Sequence, residues 1–73
     1  MFKEYEIGYE LQDKVDFYGL GIGIKELVLK MYKEMSINDH ECTILNDKYL
    51  IVDAEKFQFA KNRNEGKWIV KRF

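Results

Sequence analysis

The sequence predicts an α+β fold: a mostly antiparallel sheet of about five to six strands with one amphipathic helix, in the order ββαββββ. Three observations predict it. Apolar residues alternate at period two through most segments; one segment, from Ile24, changes to the helical period; and short polar, glycine-containing clusters separate the alternating runs. Seventy-three residues correspond to a single domain, 1–73.

The first element is "FKEYEIGYEL" (Phe2 to Leu11). Tyr5, Ile7, Tyr9 and Leu11 share one side of an extended chain and Glu4, Glu6 and Glu10 the other, the pattern of a strand with one wet face. Gln12 to Lys14 is read as a turn, and "VDFYGLGIGI" as a second strand paired with the first. From Ile24 the spacing becomes i, i+3, i+4: Ile24, Leu27, Val28, Met31, Tyr32 and Met35 make one apolar stripe. This predicts a helix over 24–35, ending near Ser36. "ECTIL" and "YLIVD" then flank the tight turn "NDK". "KFQFAK" and "KWIVKRF" flank the longer turn "NRNEG", giving two hairpins. Setting Phe59 opposite Trp68 puts Phe57 opposite Val70 and Glu55 opposite Arg72. It also sets Lys56 against Lys71, an unfavourable like-charge pair.

Residues 19–23, "GLGIG", lie between strand-like and helical patterns, where a phosphate-binding loop would lie. Their spacing is G-x-G-x-G, not the dinucleotide-binding G-x-G-x-x-G, and no Gly-Lys-Ser/Thr follows. The glycines are better explained as a bend that lets the helix lie close to the sheet. His40 and Cys42 are two apart, as in half of a zinc site, but no second such pair exists. A Cys–His nucleophilic pair, or a triad drawn from Ser36 and His40, is the remaining catalytic option in a chain poor in such groups. The expectation is no enzyme, no metal and no cofactor.

Net charge is −1, but its layout is uneven. Residues 1–23 hold two bases and five acids; residues 54–73 hold six bases and two acids. The basic end places Lys61, Arg63, Lys67, Lys71 and Arg72 near aromatic residues, the pairing that single-stranded nucleic acid uses. Alternation, however, turns Phe57, Phe59 and Trp68 toward the core. One cysteine, no signal-peptide pattern and no long apolar run predict a cytoplasmic protein without a membrane segment.

The most informative feature is an excess of apolar sheet. Tyr49 and Ile51 alternate with Leu50 and Val52, so β material is apolar on both sides, and one helix covers one face. The second face needs a cover: the chain itself bent into a half-barrel, a second copy, or another protein. The expected function is therefore non-catalytic protein binding or self-association, as a modulator or inhibitor of a larger target, through Tyr5, Tyr9, Tyr49 and Ile51. The alternative is a small nucleic-acid-binding module using the basic C-terminal hairpin. The composition, rich in lysine, isoleucine and asparagine, suits an AT-rich genome and, by analogy, a phage or mobile-element regulator.

Overall fold

The computed structural model describes residues 6–73. Two helices precede four strands: α1 (Ile7–Tyr18), α2 (Ile24–Ile37), β1 (Cys42–Leu45), β2 (Tyr49–Val52), β3 (Glu55–Asn62) and β4 (Lys67–Arg72). The α+β class and the antiparallel sheet are as the sequence predicts. The ββαββββ order is not: two helices and four strands replace one helix and five to six strands. Nor is there a half-barrel among the described residues, because all four strands lie in one sheet, in sequence order.

Helix α1 stands where the N-terminal hairpin was expected. Ile7, Leu11, Val15 and Tyr18 recur at helical spacing, and the helix buries Leu11 and Val15 against the sheet. Tyr9, which an extended chain would place beside Ile7 and Leu11, is instead 65% exposed. Tyr5, part of the expected first strand, lies outside the described residues.

The three glycines serve the helix connection. A Cβ on Gly19 would lie 2.5 Å from the Val15 carbonyl oxygen and 3.1 Å from Trp68 Cδ1, so only glycine ends α1 this close to the sheet. Gly21 has φ +76° with open space around it, and its freedom is needed for backbone direction rather than for packing. Gly23 is the residue before α2. The glycines thus lie in a loop between two helices, not at the end of a strand.

Helix α2 follows its predicted stripe and runs on through Ser36 to Ile37. Leu27, Val28, Met31 and Met35 are buried. Lys14 of α1 and Glu34 of α2 approach to 3.6 Å across the helix pair. No helix among the described residues is long and apolar enough to cross a membrane.

The strands form one meander rather than two separate hairpins. Asn46 and Asp47 (φ 54° and 58°) turn β1 into β2, and Asp53 and Ala54 (φ 50° and 72°) turn β2 into β3. Two successive left-handed residues match the twist of a two-residue hairpin. Asn and Asp tolerate that geometry; Ala54 adopts it against its own preference.

The β3–β4 register differs from the expected one by two residues. Phe59 pairs with Val70, Lys61 with Trp68 and Phe57 with Arg72. Gly66 takes φ +67° in the connecting loop and so lies outside the ladder, which moves the pairing along. A two-residue shift preserves which face each side chain occupies. It also removes the like-charge pair: Lys71 now faces Gln58, and the Phe73 N–H donates to the Lys56 carbonyl.

The helices cover one face only. Leu50, Val52, Phe57, Phe59 and Trp68 point into a core closed by Leu11 and Val15 of α1 and the apolar stripe of α2. α1 lies over β4, and α2 over β1 and β2. The outer edge of β4 is held by one side chain of α1. Gln12 Nε2 donates to the Trp68 carbonyl (3.1 Å), and Gln12 Oε1 accepts from the Val70 N–H (2.9 Å). A carboxamide carries one donor group and one acceptor, as a peptide unit does, so Gln12 stands in for a neighbouring strand.

Candidate binding surface

Side chains alternate along each strand, so the residues between the core positions form the outer face of the sheet. The register aligns them in rows. Thr43, Ile51 and Lys56 lie side by side, with Phe73 continuing the row; Leu45, Tyr49, Gln58 and Lys71 form the next. Ala60 with Ile69, then Asn62 with Lys67, complete the face. Its paired residues include Lys56, Lys67 and Lys71 and no carboxylate.

One end of this face is aromatic. The Tyr49 and Phe73 rings meet edge to face at 5.7 Å. The Lys56 ammonium lies over both, 4.8 Å from the Tyr49 centroid and 5.3 Å from that of Phe73. Phe73 is 69% exposed, and Leu45 and Ile69 are each exposed beside half-buried neighbours.

The residues singled out from sequence divide accordingly. Tyr49 and Ile51 come together on the outer face. Tyr9 does not join them; it is on α1, on the helical side. Of the basic hairpin, Lys67 and Lys71 are on the outer face and Arg63 is in the exposed β3–β4 turn. Lys61 and Arg72 have the opposite parity. Lys61 lies over the Trp68 ring at 5.4 Å, and Arg72 reaches Glu55 at 3.2 Å and Glu6 at 3.6 Å. These two cations are engaged on the helix side. Phe57, Phe59 and Trp68 are buried, as alternation predicts.

Lys56 and Phe73 are members that sequence reasoning missed. The signal was parity: placing Phe57 and Phe59 in the core assigns Lys56 and Gln58 to the opposite face. What was absent was the tight Asp53–Ala54 turn, which puts that face in line with Tyr49 and Ile51.

A second cluster surrounds His40. Its Nδ1 is 2.6 Å from Asp53 Oδ2 and its Nε2 3.6 Å from Glu10 Oε1. Asp53 Oδ1 also accepts from the Glu41 N–H at 3.0 Å. The hydrogen bond from His40, then that from the Glu41 backbone, holds the Asp53 carboxyl below its ordinary range. His40 thereby links α1, the end of α2 and the β2–β3 turn. Both ring nitrogens are directed at carboxylates, and the Cys42 thiol lies near the His40 carbonyl oxygen (3.7 Å). Burial pushes the Cys42 thiol up, with a smaller opposing hydrogen bond from Ser36, which reduces the thiolate that nucleophilic chemistry needs. These are the contacts of a structural tie. Among the described residues no group of three or more His, Cys, Asp and Glu side chains is placed to share a metal ion.

Comparison with protein-family models, with curated proteins and with solved structures finds no match for this chain.

Proposed function

We propose that this chain is a non-catalytic binding protein and that the outer face of its sheet is the contact surface. One observation carries this: two helices shelter one face of the sheet, while on the other the half-buried Tyr49 and Ile51 and the exposed Leu45, Ile69 and Phe73 have no covering element among the described residues. Grouped exposed apolar side chains rimmed by polar ones are characteristic of interaction sites, and tyrosine is a frequent anchor.

The charge of the face bears on its occupant. Two copies meeting face to face would bring Lys56, Lys67 and Lys71 of each near the same lysines of the other. Like charges so placed are repulsive, which disfavours self-association through this surface. An occupant with negative charge suits it better.

The experiment compares wild type with the Tyr49→Ala/Ile51→Asp double variant, both immobilised and exposed to a whole-cell extract. A macromolecule retained by wild type and lost from the folded variant is the expected result. Retention that is identical for both proteins overturns the assignment. Sedimentation across a wide concentration range checks the charge argument, with the mass expected to stay at one chain.

A further inference from the structure

We infer that the occupant of the open sheet face is single-stranded nucleic acid; this rests on the contact surface proposed above and names its partner. Four features of that surface point the same way. Its ladder positions carry Lys56, Lys67 and Lys71 and no carboxylate; at the rims Arg63 shares its turn with Glu65, and Glu41 borders the β1 edge. It offers two aromatic rings, Tyr49 and Phe73, on the same side as those cations, whereas Phe57, Phe59 and Trp68 are buried. Gln58 and Asn62 add carboxamides between the cations, able to donate to and accept from base edges. The size of the face fits as well.

The dimensions of the face suit a short strand. Four strands spaced about 4.8 Å apart, over six residues rising about 3.3 Å each, make a face of roughly 300 Å². Its long dimension, about 20 Å, makes a track for a few nucleotides. Stacking on a ring and neutralising a phosphate are contacts made nucleotide by nucleotide, so a small surface suffices.

Lys56 shows how the exchange would proceed. Its ammonium already lies over both rings, 4.8 and 5.3 Å from their centroids. An incoming strand replaces that cation with a base on the ring and turns the lysine to the adjacent phosphate. The net charge of −1 keeps binding modest, with Kd in the range of about 10⁻⁴ to 10⁻⁶ M typical of sequence-independent contacts.

The test is fluorescence anisotropy with a labelled oligothymidylate of about ten nucleotides, repeated from 50 to 200 mM salt. Three neutralised phosphates predict a log–log salt slope of about −2, or roughly 20-fold weaker binding over that range. Tyr49→Ala and Phe73→Ala should each weaken binding about 5-fold or more, while Tyr49→Phe retains it, since the ring is what stacks. Lys67→Gln should make the slope shallower by about 0.7. Lys61→Gln and Arg72→Gln should leave affinity within about twofold, because both cations are engaged on the helix side. Circular dichroism on each variant confirms that it is folded.

Three results overturn the inference: no binding at millimolar protein, equal binding of polyglutamate, or sensitivity to Lys61 and Arg72 rather than to Tyr49 and Phe73. If oligonucleotide binding fails while retention from extract still depends on Tyr49 and Ile51, the nucleic-acid inference falls and the contact surface stands. If both fail, both fall.

Discussion

Leu50 and Tyr49 are consecutive residues of β2 with opposite surroundings. Leu50 is fully buried under the helices; Tyr49 lies half-buried beside Phe73 and Lys56. The same contrast repeats at Phe57 and Lys56 on β3. One face of the sheet carries the apolar contacts that hold the fold, and the other carries rings and cations that the fold does not need. Parity along a strand therefore separates stability from binding, and a set of substitutions can test that division.

The largest effect is expected on the covered face. Phe57→Ala should cost about 3–5 kcal/mol and Leu50→Ala about 2–5 kcal/mol, from lost burial plus the cavity left behind. At roughly 0.05–0.15 kcal/mol per residue, a chain of 73 residues has only about 4–11 kcal/mol to lose. Either variant should thus be near the unfolding threshold in urea titration. Tyr49→Ala, one residue away, should cost about 1 kcal/mol or less. Equal losses at Leu50 and Tyr49 would break the comparison.

Next comes the edge of β4. Gln12→Ala leaves the Val70 N–H and the Trp68 carbonyl without their partner, an expected cost of about 1–3 kcal/mol. Amide hydrogen exchange at Val70 should accelerate more than at Phe57, which is paired with Leu50 on one side and Arg72 on the other. Uniform acceleration would mean that Gln12 acts on global stability alone.

A gain is expected at Ala54, which belongs to neither face. Its φ of +72° is a conformation that glycine adopts without strain. Ala54→Gly should raise stability by about 1 kcal/mol and the thermal midpoint by about 4–8 °C, measured by calorimetry. A lower midpoint would show that the turn tolerates alanine at no cost.

The smallest effects are those of pH. The Asp53 carboxyl titrates below its unfolded value of about 3.9, so its contribution is present above that pH. It is lost as pH falls through the lower folded value. Cys42 behaves in the opposite sense. Its folded value is raised above 9.0, so its contribution is present below that pH and lost as pH rises. Asp53→Asn should flatten the acid limb of a stability–pH curve and leave the alkaline limb alone; Cys42→Ala should do the reverse.

The two halves of the chain also differ in how much of them was legible. The strands were read nearly to the residue, because Leu50, Val52, Phe57 and Phe59 alternate without a competing period. The N-terminal half is ambiguous because Ile7 and Leu11 fit both periods. Two, four and eight residues of separation keep strand parity, and four also keeps a helix face. Tyr9 distinguishes them, and Val15 and Tyr18 continue the helical spacing across the expected turn at Gln12–Lys14. The binding surface was half legible: Tyr49 and Ile51 were identified from their alternation. Lys61 and Arg72 were grouped with Lys67 and Lys71 by composition, although parity already set them on opposite faces.

By itself the sequence determined the α2 stripe, the strand segments and which residues of each strand share a side, since these follow from local spacing along one chain. Only the tertiary structure decided that a second helix covers the core, that the strands join into one meander, and that Lys56 and Phe73 stand beside Tyr49. Those outcomes depend on contacts between segments distant in sequence. There, burial of Leu11 and Val15 outweighs an ambiguous local pattern, and a two-residue turn sets what faces what.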